Sequence, residues 1–262
     1  MAIASPTLVR LPRGYVRVAG PEAADFLERM LSNEIPSLEP GREARPALLL
    51  TPKSRIVAPL RVVREGPEAF LLITEAELAE TVASTLMRAR FAARCEVEVR
   101  PHRGYLHLGS DPGEGVANGD YGVEAWETWG EEEREAAAAS ELEALRIEAG
   151  TPAWGKELDE KVLPAEAGLD ETHVSFTKGC YPGQEPIARL HYRGRPNRRL
   201  RVLEAADAKP GDEILLGDKA VGRVTSAVPG LALGYVRREV TDDAELVIGG
   251  TDARLHLTPA RP

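Results

Sequence analysis

An α+β fold of antiparallel sheets, with a small antiparallel β-barrel at its C-terminal end, is predicted by three features of this 262-residue chain. The first is two successive stretches that each read strand–helix–strand. The second is a set of short strand-like segments after Asn197, separated by Gly-containing turns. The third is the irregular stretch between them, where Pro152, Pro164, Pro182, Pro186 and Pro196 interrupt any regular period.

Along the chain, Tyr15–Val18 reads as a strand, and Gly20-Pro21 opens a helix over Glu22–Leu31 with Ala24, Leu27, Met30 and Leu31 at helical spacing. Leu48–Leu50 and Ile56–Val63 read as strands of a hairpin turning at Thr51-Pro52-Lys53-Ser54, and Phe70–Ile73 as a further strand. A helix over Glu75–Ala92 follows, with Thr74 as its N-cap and Leu78, Val82, Leu86 and Met87 on one face. Cys95–Val99, Tyr105–Leu108 and Glu124–Trp126 read as strands, with Gly109–Gly122 as a surface loop.

Glu131–Ile147 is rich in Ala, Glu and Leu and predicts a long helix stopped by Gly150. Residues 151–198 predict a long structured loop, a form that often carries function. Leu200–Leu203, Glu213–Leu216, Ala220–Ser226, Ala232–Val236 and Glu245–Ile248 predict the barrel strands. The domain boundary is placed near Arg195, giving two α+β subdomains over 1–195 and the barrel over 196–262.

Composition narrows the function classes. Hydrophobic residues make up 43% and charged residues 29%, as in ordinary globular proteins. A net charge of −9 argues against a large nucleic-acid surface, with the basic run from Arg189 to Arg201 as a local exception. Cys95 and Cys180 form neither a disulfide framework nor a CxxC metal pair. No segment has the ~18 apolar residues of a membrane span, and Met1–Arg10 lacks a secretory pattern. A reducing cytoplasm is the expected compartment. The five histidines show no ligand spacing, so no structural metal is expected.

The most specific segment is Lys178-Gly179-Cys180-Tyr181-Pro182-Gly183-Gln184-Glu185. Two glycines bracket a thiol, an aromatic ring and a carboxamide–carboxylate pair, and Lys178 stands where it favours a thiolate. On spacing alone the favoured reading is a tight loop packing a small buried cysteine. Glu148 ends the long helix, where a carboxylate is electrostatically unfavourable without a partner. It reads either as a solvated helix end paired with Arg146 or Lys156, or as a ligand-binding group.

The octapeptide resembles the signature of the YgfZ family, relatives of the tetrahydrofolate-dependent aminomethyltransferases. Arg146-Ile147-Glu148-Ala149-Gly150-Thr151-Pro152 resembles an element the two groups share, and Val221–Ser226 and Ala232–Val236 resemble the family's barrel strands. The resemblance implies ferredoxin-like N-terminal subdomains around a central folate-site cavity. It implies tetrahydrofolate or another reduced folate as cofactor, with Glu148 accepting from the pterin edge and Cys180 as the functional thiol. Trp154, Tyr181, Gln184 and Arg189 are further candidates for folate contact, as is Phe176, and each aromatic reads equally as core. The Arg189–Arg199 run reads as a contact for folate's glutamate tail, for a nucleic acid, or as a solvated connector.

Aminomethyltransferases carry an aspartate on the second strand of an N-terminal hairpin. Aligned by resemblance, Ala58 or Pro59 stands there, and the nearest downstream acid, Glu65, is expected beyond the strand. Aminomethyl transfer is therefore disfavoured. The expected function is an accessory one in iron–sulfur cluster assembly or repair, with tRNA modification among its outcomes. Iron–sulfur client or assembly proteins are the expected partners, with no membrane, and nucleic acid is disfavoured. The alternatives are an active folate-dependent one-carbon transferase and a folate-free interaction module.

Overall fold

The computed structural model describes residues 7–256. The chain divides into two compact units, one of Met1–Asn118, Glu124–Ala139 and Asp170–Ala188, the other of Gly119–Val123, Ser140–Leu169 and Arg189–Pro262. Among the described residues no helix is long and apolar enough to cross a membrane.

The first unit contains β1 (Thr7–Leu11), β2 (Arg13–Ala19), α1 (Ala23–Met30), β3 (Ala44–Leu50), β4 (Ile56–Gly66), β5 (Ala69–Glu75), α2 (Ala79–Ala89), β6 (Glu96–Arg100), β7 (Arg103–Leu108), β8 (Val116–Ala117) and β9 (Ala125–Gly130). Five of these strands form an antiparallel sheet in the order β3-β4-β5-β2-β6. With α1 and α2 in its crossovers, this is the split βαβ arrangement of a ferredoxin-like sheet, extended by β3 at one edge. The other four strands pair in the order β1-β7-β9-β8. Tyr15, Val63, Leu71, Ile73 and Val116 share one core cluster that draws on both sheets.

The second unit contains α3 (Glu143–Glu148) and the strands β10 (Arg198–Ala205), β11 (Glu213–Leu216), β12 (Lys219–Val228), β13 (Gly230–Arg237), β14 (Leu246–Ile248) and β15 (Thr251–Leu255). These strands close into an antiparallel barrel in the order β10-β13-β12-β11-β14-β15. Alternate residues fill it, among them Leu203, Ile214, Val221, Val224, Val236 and Ile248. Ile147 of α3 packs outside that filling, against Val202 and Leu233. Helix α4 (Gln184–Arg193) runs from the first unit's last segment into the second's.

Four sequence expectations are corrected. Residues 131–138 are not helical, because neighbours take their backbone groups. Ala137 N–H donates to Leu8 (2.9 Å), Arg10 N–H donates to Ala137 (3.0 Å), and the Tyr105 hydroxyl accepts from Arg134 N–H (2.8 Å). Helix begins only at Ala139, as a 3-10 turn leading into α3. Thr74 is no helix cap; it lies in β5 and its hydroxyl donates to the Pro59 carbonyl at 2.8 Å. Residues 184–193, expected to be irregular, form α4, because Pro186 falls in the first turn, where a missing N–H costs no hydrogen bond. Glu65 lies within β4, not beyond it, and faces Arg17 at 3.4 Å.

The end of α3 is fixed by a buried polar network inside the second unit. Gly150, at φ +68°, closes the helix with Gly150 N–H donating to Ile147 (3.0 Å) and Thr151 N–H to Arg146 (3.0 Å). Arg146 donates to Glu143 (2.7 Å), Glu157 (2.8 Å), Ser226 (2.8 Å) and the Thr151 carbonyl (2.6 Å). The Glu157 carboxylate is wholly buried and also accepts from Ser226 (2.6 Å) and Ala153 N–H (3.0 Å). Arg146 also holds the Glu143 carboxyl down to about 2, helped by Lys156 and opposed by partial burial.

Removing one member strands the other as a buried charge. Arg146→Ala should therefore lower unfolding stability by about 3–5 kcal/mol in urea denaturation. A loss below about 1 kcal/mol would mean that water reaches Glu157.

Candidate functional site

The candidate residues fall in both units. Lys178, Cys180, Tyr181 and Gln184 lie in the first, and Glu148, Trp154 and Arg189 in the second.

In the first unit, the cysteine loop rests on the segment after α1. The Lys178 side chain is fully buried, and its ammonium donates to the carbonyls of Glu28 (2.7 Å), Leu31 (2.9 Å) and Asn33 (2.8 Å). The Glu28 carboxylate stands 3.2 Å away. An ammonium has three N–H donors, so none is left to hydrogen-bond a thiolate. Burial pushes the Lys178 pKa below its ordinary value, opposed by Glu28. Lys178 thus caps the open carbonyls at the C-terminal end of α1, where a cation is favoured.

Further bonds tie the loop's flanks. The Ser32 hydroxyl donates to the His173 carbonyl (2.6 Å) and accepts from Leu48 N–H (2.7 Å), while Ser175 N–H donates to the Ser32 carbonyl (2.9 Å). The Asn33 carboxamide donates to the Pro46 and Thr172 carbonyls at 2.8 and 3.2 Å. On the far side, the buried Ser54 hydroxyl donates to the Gly183 carbonyl at 2.6 Å. Gly183 sits at φ +82°, and a Cβ there would stand 2.6 Å from the Thr51 carbonyl oxygen, so only glycine fits.

Sequence reading did not single out Ser32, Asn33 or Ser54. Their one visible signal is that they are short polar residues directly after a helix and inside the hairpin turn.

Held in this way, Cys180 is an exposed free thiol. Its neighbour Tyr181 points the other way in burial: its hydroxyl is buried without a hydrogen-bond partner among the described residues, and desolvation pushes its pKa up to about 12. The Lys178 ammonium lies 5.5 Å from the Tyr181 ring centroid. Gln184 begins α4 and is half-buried, and Phe176 is half-buried. The arrangement can offer one sulfur to an external electrophile or metal from a loop whose underside is clamped. Among the described residues there is no group of three His, Cys, Asp or Glu side chains that could hold a metal ion.

In β4, Ala58 is fully buried opposite Leu49, and Pro59 stands opposite Leu48. Neither carries a charge or a titratable proton.

In the second unit, Glu148 is the last residue of α3 and is exposed. The cations weighed as its partners are committed elsewhere: Arg146 to Glu143 and Glu157, and Lys156 to Glu143 at 2.8 Å. Among the described residues no side chain pairs with Glu148, so both oxygens remain available to an outside donor pair. Trp154 is half-buried, and Arg189 is exposed on α4. Arg198, from the basic run, forms a bidentate pair with Glu166 (3.1 Å for each bond) and lies over the Tyr235 ring at 4.5 Å.

Replacing Lys178 by methionine keeps the side-chain length but leaves three carbonyls unmet. Lys178→Met should lower unfolding stability by about 3 kcal/mol, read from the denaturant midpoint. An unchanged midpoint would show that the ammonium is not the clamp.

Comparison with known proteins bears on this geometry. Residues 197–262 match the family described as the CAF17 C-terminal beta-barrel domain. The tRNA-modifying protein YgfZ of Sodalis glossinidius is 38% identical over 92 residues, covering 32% of this chain and 28% of that protein. The human mitochondrial iron-sulfur cluster assembly factor IBA57 is 28% identical over 241 residues, covering 78% of this chain and 68% of that protein. The crystal structure of the glycine cleavage system aminomethyltransferase T from Bartonella henselae superposes with a TM-score of 0.82 at 20% identity, covering 97% of this chain and 85% of that one. The chain thus joins an aminomethyltransferase-like fold to a CAF17/YgfZ-type C-terminal barrel, and it is a relative of proteins named YgfZ, IBA57 and aminomethyltransferase.

Proposed function

We propose that this protein is a reduced-folate-binding accessory factor in iron–sulfur cluster assembly or in tRNA modification, and that Cys180 is its working thiol. The observation that carries the reading is the contrast within the cysteine loop. Lys178, Tyr181 and Gly183 are buried or clamped, while Cys180 is exposed as a free thiol. A thiol with a purely packing role belongs inside, as Cys95 is. The relatives named for iron–sulfur assembly and tRNA modification support the same reading.

The residues present also fit a reduced folate. A pterin presents an N–H and an amino group side by side, which a carboxylate accepts together. Glu148 is a carboxylate with no internal partner, beside cations that are already spent. Bound there, the folate would supply a one-carbon carrier; the chain's own contribution is to hold its pterin edge. Lys178 is a positioning residue in this reading, since its donors go to carbonyls. Aminomethyl transfer is not proposed, because Ala58 and Pro59, which the resemblance aligns with the aminomethyltransferase aspartate, can neither carry charge nor accept a proton.

Calorimetric titration with tetrahydrofolate should give saturable binding, weakened by about 1.5 kcal/mol or more in Glu148→Ala. Unchanged affinity in that variant would remove Glu148 from the site. Cys180→Ala should melt like the parent protein yet fail to restore an iron–sulfur enzyme's activity in cells lacking the native protein. Full restoration by that variant would make the thiol dispensable.

A further inference from the structure

The chain carries a net charge of −9, yet six arginines lie between Arg189 and Arg201. The structure sorts them into two kinds. Arg198 is locked onto Glu166 and Tyr235, and Arg201 pairs with Asp242. Arg189, Arg193, Arg195 and Arg199 are all exposed, and among the described residues none of them forms an ion pair. Glu185 stands one helical turn before Arg189, at the spacing that favours pairing, and still makes none.

An aromatic ring lies among them. Tyr192 is 67% exposed, whereas Tyr15, Tyr105, Tyr181 and Tyr235 are buried. At helical spacing Arg189, Tyr192 and Arg193 share one face of α4, while Ile187 and Leu190 occupy the other. His191 meets the Tyr192 ring edge-on, with centroids 4.9 Å apart. Beyond the helix, Arg193 and Arg199 are separated by at most about 20 Å of chain, so the cations are held close together.

Four uncommitted guanidinium groups around an exposed ring suit a partner with regularly spaced anions and flat apolar faces. A carboxylate polymer supplies the first and not the second. Nucleic acid supplies both, and a single strand leaves its bases free to stack. Opposing charge elsewhere on the chain is screened beyond about 8 Å at physiological salt, so the local sign governs contact.

We propose that Arg189, Arg193, Arg195 and Arg199, with Tyr192, form a contact patch for single-stranded nucleic acid, the arginines meeting phosphates and the tyrosine stacking on a base. The inference does not depend on the folate reading.

The test is fluorescence anisotropy with the full chain, using a labelled oligouridylate, the matching oligothymidylate, and poly-glutamate as competitor across a salt series. Binding of either oligonucleotide should weaken with salt at a log–log slope of about −3, from roughly −0.7 per phosphate met. Arg189→Ala and Arg193→Ala should each flatten that slope by roughly 0.7. Tyr192→Ala should weaken binding about fivefold or more with the slope unchanged. All three variants should melt like the parent, because the side chains are exposed. A preference for one sugar would identify RNA or DNA as the ligand. No binding at low salt would overturn the proposal. So would poly-glutamate competing equally on a per-charge basis, or a Tyr192→Ala variant that binds like the parent, since either result describes a general anion surface.

Discussion

A charge taken out of water must be met by a complete set of partners, and this constraint fixes both halves of the candidate machinery. Lys178 meets it with three backbone carbonyls and Glu28; Arg146 and Glu157 meet it with each other, Glu143, Ser226 and two backbone groups. Such arrangements are weak sources of net stability, because desolvation offsets much of the attraction. Their effect is on uniqueness. Any alternative packing of the loop or of α3 leaves a charge buried and unmet, at a cost of several kcal/mol. Cys180 and Glu148 each sit within two residues of one of these centres, and each inherits a defined position while its own side chain stays outward.

What the sequence made legible follows the range of the interactions involved. The barrel strands, most strands of the five-stranded sheet and the start of α1 were readable because alternation, helical spacing and turn residues are local signals, whereas the ferredoxin-like arrangement came from the resemblance. Gly150 as a helix stop was readable for the same reason. The helix expected over Glu131–Ile147 failed because propensity is a weak prior. Ala137 found strand partners at Leu8 and Arg10, and Tyr105 took the Arg134 amide. Helix α4 was hidden by prolines whose positions, once the helix exists, are harmless. The role of Lys178 could not be read at all. Its partners are main-chain carbonyls about 150 residues away, and no side-chain pattern encodes a carbonyl.

The second strand of the hairpin, β4, is shaped by packing. Along β4, Ile56, Ala58 and Leu60 are buried, and Val57 and Pro59 are half-buried between them. Ala58 faces the core opposite Leu49, so a carboxylate introduced there would need a buried partner that the apolar surroundings do not provide. Pro59 lends its carbonyl to the Thr74 hydroxyl and fixes its own φ. The strand therefore works as sheet, and Glu65 is held further along beside Arg17.

The electrostatics of the second unit obey the same accounting with opposite result. Arg146 is drawn inward and neutralised by carboxylates, because a buried guanidinium has no other stable state, while Arg198, partly exposed, is paired with Glu166. The remaining arginines of the 189–199 run have water as their partner and pay no such penalty, so nothing in the fold requires them to be cationic. Four positive side chains beside an exposed ring, on a chain whose total charge is −9, raise the local potential where solubility gains nothing from it. Such a surface sets the local sign within a screening length, whatever the sign of the whole molecule, and the exposed ring adds an apolar face to it.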